Sequence, residues 1–430
     1  MRMTKPAVLL AATALLSTAL AGCSGSSGSE ASESSGPADL RMTVWTSDED
    51  QLALFQQIAD AYVAAHPDEV SSVTFDSVPY DDYTTTLTTQ IAGGNAPDLA
   101  WVFESSAKEF VASGALADLT DTLDATEGYD YDDIMPSTLD LWTGDDGDLY
   151  AYPFSNSPFV VFVNTDRLAE AGLDDPADLV ASGQWTYDTV ESMAADSVAA
   201  LGGAGLVVRD FDYTTWSNLA SVWAAWGADP WSADGSTCTF DSTEMVDAMT
   251  WFHDAVYEDG AIPEPGTTND FFAGDTTFTI TQISRASSLD GSFGWDVVPL
   301  PSGPAGQQNI VGQAGLAALS GGSHVQAAED FLAYFTNAEN SAELAQYFPS
   351  PRESLQDAET LAQTNPLLDA DQLQVVVDAV QDAETKPSHA NYAELDTAVR
   401  TALDALWTAD ADPETVLTDV CSSITPLLGS

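Results

Sequence analysis

The stretch QIAGGNAPDLAWVFESS, from Gln90 to Ser106, decides how the chain folds. A double glycine, Gly93-Gly94, ends the helical pattern before it, and Pro97-Asp98 introduces a short apolar run. That run, LAWVF, stops at the polar segment Glu104–Ser106. The order of helix, tight turn and buried strand predicts one step of an alternating fold, with polar side chains where the strand ends.

The same step recurs on the N-terminal side of this stretch. Leu40–Trp45 is strand-like, residues 52–62 carry apolar side chains at helical spacing, and Val73–Phe75 indicates the next strand. This βαβ alternation predicts the α/β fold class with a largely parallel sheet. Ligands of such sheets bind beyond the carboxyl ends of strands, where Ser47 and Glu104 are expected, although such residues also suit helix N-caps.

The middle of the chain changes character, and the last hundred residues are predicted to be mostly helical. A polar break at Ser155–Ser157 interrupts the extended segment Leu149–Asp166, which suits a crossover between two lobes. Strands are also predicted at residues 276–280, 295–299 and 315–319. Helices are predicted at residues 187–200, 243–258, 325–337, 340–346, 368–382, 391–406 and 412–424.

The N-terminus predicts export and lipidation. Arg2 and Lys5 precede an apolar run that is too short for a membrane span, so residues 1–22 are expected to be a signal peptide. Leu20-Ala21-Gly22-Cys23 resembles the bacterial lipobox, which implies a lipid on Cys23; the alternative is an ordinary signal with an incidental cysteine. Residues 23–37 form a Gly/Ser-rich tether, so a lipid-anchored protein on the extracellular face of the membrane is expected.

The chain is strongly acidic, with 68 Asp and Glu against 10 Lys and Arg and a net charge of −58. Nucleic acid and anionic lipid headgroups would be repelled by such a surface. The acids are spread along the chain, which favours solubility or adaptation to salt, while attraction of a cationic solute stays open as an alternative.

Catalytic, metal and cofactor motifs are missing from the sequence. The four histidines lack metal-ligand spacing, and no GxSxG nucleophile elbow occurs. We therefore expect a protein that is not an enzyme and uses no metal or cofactor. Cys238 and Cys421 are expected to have a structural role, either as a disulfide outside the cell or as two separately buried thiols.

Aromatic residues cluster in DYTTWSNLASVWAAWGADPW, residues 212–231. Flat rings stack on sugar faces, so aromatics near turn residues are candidate ligand contacts. Tyr213 and Trp231 lie at the ends of the helical stretch and are the better candidates; Trp216 is an even choice between ligand and core. Trp223 and Trp226 are expected in the core.

The order of several short motifs resembles the bacterial extracellular solute-binding proteins of ABC importers, the family that contains the maltose-binding proteins. The matching segments run from residue 40 to 428 and include a "GxxPD"-like turn. They are Gly93–Asp98, Ser113–Leu119, Leu149–Pro153, Val163–Asp166, Phe272–Asp275, Val298–Pro301 and Pro349–Ser354.

This resemblance implies a two-lobed, periplasmic-binding-protein-like fold with a hinge and an interlobe ligand cleft. Lobe one would comprise residues 38–154 and 313–348, and lobe two residues 158–310 and 352–428. Ligand contacts are implied at Ser47, Glu49, Glu104, Ser105, Asn156, Ser157, Tyr213, Gln282, Ser284, Gln313 and Arg352. Gln282 and Ser284 stand where relatives often have an aromatic platform, a departure that does not favour a malto-oligosaccharide.

The resemblance implies a monomeric substrate-binding lipoprotein that captures a carbohydrate and delivers it to a membrane permease. An oligosaccharide is the expected class of carbohydrate. It would bind no nucleic acid and would touch the membrane only through its lipid. Two alternatives stay open at this point. The same fold could bind a cationic solute such as a polyamine, or the chain could be a surface glycoside hydrolase.

Overall fold

The structure is a computed structural model that describes residues 36–209, 215–266, 270–363, 365–381 and 383–429. The signal peptide 1–22, Cys23 and most of the tether 23–37 lie outside the described residues, as does Tyr213. Residues from Gly36 onward form one compact unit.

Strands and helices alternate in the N-terminal part of the described chain, and helices dominate its last hundred residues, as predicted. The strands are β1 Ala38–Val44, β2 Val70–Ser77, β3 Leu99–Phe103, β4 Tyr152–Asn164, β5 Ala204–Val208, β6 Thr276–Gln282, β7 Trp295–Val298, β8 Ile310–Ala318 and β9 Glu384–Thr385. The helices are α1 Glu49–Ala65, α2 Tyr83–Ala92, α3 Ala107–Ser113, α4 Thr120–Ala125, α5 Pro136–Leu139, α6 Thr165–Ala171, α7 Pro176–Ser182, α8 Tyr187–Leu201, α9 Ala220–Trp223, α10 Thr243–Tyr257, α11 Val325–Phe335, α12 Ala338–Leu344, α13 Ala358–Leu361, α14 Ala370–Gln381, α15 Tyr392–Leu403 and α16 Pro413–Leu428.

The sheet is mixed, so the prediction of a largely parallel sheet was wrong. Its order is β2-β1-β3-β8-β4-β6-β5, with β1 parallel to β2 and β3, and β5 parallel to β6. By contrast, β8 is antiparallel to both β3 and β4, and β4 is antiparallel to β6 and β7. The reason is that β4 and β8 connect two lobes in opposite directions, and neighbouring strands that cross in opposite directions pair antiparallel.

The polar segment Ser155–Ser157 does not interrupt the extended chain, contrary to the prediction. It lies within β4, a single strand of 13 residues in which every residue is buried. The N-terminal half of β4 pairs with β8, and its C-terminal half pairs with β6 and β7. The three polar side chains therefore lie where the chain passes from one lobe to the other.

Two apolar cores lie on either side of this passage. The first lobe has a core drawn from residues 38–154 and 314–348. The second lobe has apolar layers on both faces of its sheet, with Phe159 and Val161 on one face and Val160 and Phe162 on the other. This alternation follows from the two-residue period of a strand whose two faces are both covered by helices.

The turn at Gly93–Asp98 is structural. Gly93 ends α2 and Gly94 follows with φ of +68°, a conformation that glycine adopts without strain. The Asp98 carboxylate then accepts a hydrogen bond from the Arg41 N–H at 2.9 Å, which fixes the start of β3 beside β1.

A disulfide bond joins two distant parts of the chain. Cys238 and Cys421 form it with Cα atoms 5.5 Å apart, so it joins the segment after α9 to α16.

Within the described ranges, none of the helices combines the length and the apolar character needed to cross a membrane.

Candidate functional site

A cavity of about 680 Å³ lies between the two lobes, beyond the carboxyl ends of β3 and β5. The first lobe contributes residues from the start of α2 and the end of β3, and the second contributes residues around α9, β9 and α15. The lining residues are Tyr80, Asp81, Thr84, Phe103, Glu104, Ser105, Arg209, Thr215, Ser217, Asn218, Lys386, Tyr392, Asp396 and Arg400. We refer to this space as the interlobe cavity.

A buried ion pair links the two sides of the interlobe cavity. Glu104 begins the short turn after β3, and Lys386 follows β9 at the end of a segment that pairs with β8. The Lys386 ammonium donates to Glu104 Oε1 at 2.7 Å and to Asn218 Oδ1 at 3.2 Å. Glu104, Lys386 and Asn218 are only 5%, 4% and 3% exposed.

Aromatic rings form the first-lobe wall of the cavity. Phe103 stacks on Trp45 with ring centroids 4.3 Å apart, and Tyr80 meets Phe103 edge-on at 4.7 Å. Tyr80 is 40% exposed, which is unusual for a large ring in this protein. The guanidinium of Arg209, which follows β5 in the second lobe, lies 5.9 Å from the Tyr80 ring centroid and so closes this wall from the other side.

The opposite wall carries a second charge pair. Asp396 accepts a hydrogen bond from the Trp216 indole N–H at 2.8 Å, and the Arg400 Nε lies 3.7 Å from its other oxygen. Burial raises the pKa of Asp396, while the Arg400 charge and the Trp216 hydrogen bond oppose the shift. Tyr392 stacks parallel to Trp216, with centroids 6.3 Å apart, and faces the cavity.

Some of the sequence-predicted contacts meet in this cavity. Glu104 and Ser105 line it, and Trp216 lies directly behind Asp396. Ser47 and Glu49 are exposed residues that flank Asp48, the N-cap of α1, and are not part of the lining. After β1, the polar residues therefore belong to a helix N-cap and not to the cavity wall.

Trp231 is buried outside the lining. Its ring packs edge-on against His389 at 5.6 Å, and its backbone bridges to Cys238. Its surroundings are those of a core residue next to the disulfide, so the structure does not bring it to the cavity wall.

The amides predicted at the crossover belong to a separate, saturated arrangement that we call the crossover network: Asn156, Gln313, Trp142 and Thr138. Gln313 accepts from the Trp142 indole at 2.8 Å and donates to Asn156 Oδ1 at 2.6 Å and to the Thr138 carbonyl at 3.1 Å. Asn156 in turn donates to the Pro153 carbonyl at 3.0 Å. These side chains hold strands together rather than lining the interlobe cavity.

Three other predicted residues also lie outside the lining of the interlobe cavity. The Ser157 hydroxyl accepts a hydrogen bond from the Ser284 N–H at 3.1 Å. Gln282 ends β6, and its amide nitrogen lies directly against Gly312 of β8. A Cβ atom at position 312 would force that amide to move.

Arg352 is fully buried in the first lobe, although the family resemblance implies that it begins a second-lobe segment. Its guanidinium pairs with Asp133 at 3.3 Å, donates to the Thr336 carbonyl and lies 4.7 Å from the centroid of the Tyr129 ring. It therefore fastens the segment after α12 to the first lobe and is not part of the cavity lining.

The sequence interpretation missed Lys386, Asn218, Arg209 and Arg400. One signal was present: the chain has only 10 Lys and Arg, and three of them line this one cavity. Cations that are rare elsewhere are concentrated at the site. Among the described residues, no group of three or more His, Cys, Asp and Glu side chains is arranged to hold a metal ion.

Comparison with known proteins gives a consistent result. A family profile described as bacterial extracellular solute-binding protein matches residues 57–370. An uncharacterized lipoprotein encoded in the oleD 5′ region of Streptomyces antibioticus is 26% identical over 356 residues, which is 78% of this chain and 73% of that one.

Two solved structures share the fold. An ABC substrate-binding protein from Listeria monocytogenes in complex with cycloalternan superposes with a TM-score of 0.80 and 21% identity, covering 91% of this chain and 99% of that chain. The cyclic α-maltosyl-1,6-maltose binding protein from Arthrobacter globiformis has a TM-score of 0.75 and 19% identity, covering 92% and 100%.

These matches confirm the resemblance and the two-lobed α/β fold that the sequence predicted. The profile alone spans most of the chain, and the protein belongs to the bacterial extracellular solute-binding proteins.

Proposed function

We propose that the protein captures an extracellular oligosaccharide in the interlobe cavity and delivers it to the permease of an ABC importer. The observation that carries this proposal is the charge pairing inside the cavity. Glu104 and Asp396 are each paired with a cation of the protein itself, Lys386 and Arg400. Such a site offers aromatic faces and polar atoms without a net charge to neutralise, which suits a neutral polyhydroxy ligand.

The polyamine alternative requires carboxylates that are free to bind ammonium groups. Asp81 is an exposed acid at the rim, but the deeper acids already have cationic partners, and Arg209 adds a positive charge to the wall. A polyamine would have to displace Lys386 from a 2.7 Å contact. The overall acidity of the chain therefore does not extend into the cavity.

The mechanism we propose is closure of two lobes around the sugar. Glu104 and Tyr80 belong to the first lobe, while Asn218 and Tyr392 belong to the second. A ligand that touches both sides stabilises the closed arrangement, because it gains its full contact energy only there. The lobe boundaries 38–154 with 313–348, and 158–310 with 352–428, belong to this proposal, with the side chain of Arg352 as an anchor in the first lobe.

The cellular setting belongs to the same proposal. We place a lipid on Cys23, the tether 23–37 between membrane and folded unit, and a monomeric binding protein outside the cell. The family and the solved relatives are binding proteins. We propose that this protein likewise releases its sugar chemically unchanged.

A thermal-shift screen tests this function. The chain from Ser24 onward is mixed with neutral oligosaccharides (maltotriose, cellotriose, cycloalternan) and with putrescine and spermidine. A neutral sugar at 100 times its Kd should add about 2.7 kcal/mol to the free energy of unfolding and raise Tm. Mass spectrometry should recover it intact. Stabilisation by polyamines alone would contradict the sugar proposal, and cleavage of a sugar would contradict the binding-only role.

A further inference from the structure

Lys386 lies at an unusual place for a lysine, buried between the two lobes. Its backbone N–H donates to the Val311 carbonyl of β8 at 3.2 Å, which fixes the residue beside a connecting strand. Two residues later, the Ser388 hydroxyl donates to the Ser105 carbonyl at 3.3 Å. The segment therefore touches the first lobe while its lysine also reaches Asn218 in the second.

The ion pair is a weak source of stability. Removing a carboxylate and an ammonium from water costs several kcal/mol per ion, and their attraction inside the protein offsets this cost only in part. An apolar pair of similar volume would serve packing as well. The pair at Glu104 and Lys386 is therefore better explained by what it orients than by how tightly it holds the lobes.

Lysine selects which atom of each partner it binds. An ammonium group has three donors and no acceptor, so Lys386 can bind only the amide oxygen of Asn218 and must leave the NH₂ group on the other side. One oxygen of Glu104 is likewise occupied. Among the described residues, none donates to the second Glu104 oxygen and none accepts from the Asn218 NH₂ group, although both side chains line the cavity.

The two open groups belong to side chains that share one partner. Because Glu104 and Asn218 bind the same nitrogen, their bonded oxygens lie no more than about 6 Å apart. One offers an acceptor from the first lobe and the other offers a donor from the second. Adjacent hydroxyl groups of a sugar ring, each a donor and an acceptor, match this arrangement.

We propose that Lys386 is a positioning residue, which orients Glu104 and Asn218 to bind two neighbouring hydroxyls of a neutral glycan across the lobes. The inference rests on the proposed function and deepens it. Lys386 also neutralises Glu104, so amino sugars and polyamines are excluded from this subsite. Loss of the lysine should therefore change which ligand binds as well as how tightly it binds.

The test compares Lys386→Met with wild type and with Lys108→Met, an exposed lysine on α3 that does not line the cavity. Binding is measured by calorimetry with maltotriose, cellotriose and cycloalternan as neutral probes, and with chitosan trisaccharide and putrescine as cationic probes. Lys386→Met should lose at least tenfold affinity for the neutral sugar and gain affinity for a cationic probe at pH 7. Lys386→Arg should recover part of the neutral binding, and Lys108→Met should behave as wild type.

A double variant keeps the test informative if Lys386→Met does not fold. Glu104→Gln with Lys386→Met removes both charges, so it should fold, bind the neutral sugar weakly and show no gain for cations. If a folded Lys386→Met or the double variant binds the neutral sugar as tightly as wild type, the inference fails while the proposed function stands. If wild type binds none of the neutral probes, the proposed function fails, and the inference with it.

Discussion

The crossover network and the interlobe cavity use the same kinds of side chain and lie beside the same strand, β8. In the network, Gln313 has protein partners on its oxygen and on its nitrogen, and Asn156 is bonded in the same way. In the cavity, Glu104 and Asn218 each have one side held by Lys386 and one side open. The difference teaches that residue type alone does not identify a binding residue; hydrogen-bonding groups that the protein leaves unused at the cavity wall do.

The largest expected loss of stability follows from replacing Arg352, whose buried guanidinium is fully bonded within the protein, like the side chains of the crossover network. Arg352→Met leaves Asp133 and the Thr336 carbonyl without their buried partner and should lower the free energy of unfolding by about 3–5 kcal/mol. Urea denaturation measures this. The exposed pair of Arg41 and Asp76 supplies the control, since Arg41→Met should cost less than about 1 kcal/mol. Equal losses for the two variants would contradict the role given to Arg352.

The disulfide offers a change in stability that is remote from both regions. Cys421→Ser together with Cys238→Ser opens a link between residues 183 positions apart and should cost about 2–4 kcal/mol. Sugar affinity should not change, because neither cysteine lines the cavity. Calorimetric melting and sugar titration of the same sample check both statements, and a loss of affinity in the folded variant would show that α16 supports the cavity.

Gln313 tests whether the crossover network serves structure alone. Gln313→Leu leaves the Trp142 indole and the oxygens of Asn156 and Thr138 without a partner and should cost about 1–3 kcal/mol. The exposed Gln326→Leu is the matched control, with an expected change within about 0.5 kcal/mol. A Gln313→Leu protein that melts as wild type would show that the network carries no stability.

The smallest effect concerns pH and lies in the second lobe. Burial, with the nearby carboxyl of Asp259, raises the pKa of Glu191 to about 7. The folded protein therefore binds a proton that the unfolded chain releases between about pH 4.5 and pH 7, so stability falls as pH rises through this window. Glu191→Gln should raise Tm by roughly 1–3 °C at pH 8 and change it little at pH 4. The exposed Glu170→Gln should show no such pH dependence, and the same Tm gain at both pH values would exclude titration as the cause.

The local sequence pattern predicted the helices and strands well, because each type of element has its own short-range periodicity of apolar residues. The helix that ends at Gly93 and the strand Leu99–Phe103 follow directly from the opening stretch. The direction of β8 was predicted wrongly. It depends on which lobe the chain is leaving, and no local sequence pattern near β8 indicates this. The family resemblance supplied the two lobes.

The site was predicted only in part, for a related reason. Glu104 and Ser105 follow a strand end, so their place at the cleft could be read from position alone. Ser388 contacts Ser105 from 283 positions away, and Lys386 follows a strand of only two residues. Nothing local indicates that this segment returns to the cleft. Asn156 and Asn218 carry the same amide, and only their partners distinguish the structural residue from the one that faces the cavity.

The most direct test of this distinction compares Asn218→Ala with Asn156→Ala. Each is titrated with the neutral oligosaccharide that wild type binds, and each is melted without ligand. The account predicts that Asn218→Ala loses at least tenfold in affinity with little change in Tm, whereas Asn156→Ala lowers Tm and keeps its affinity when folded. The reverse pattern would contradict the account, because it would place the binding site in the crossover network.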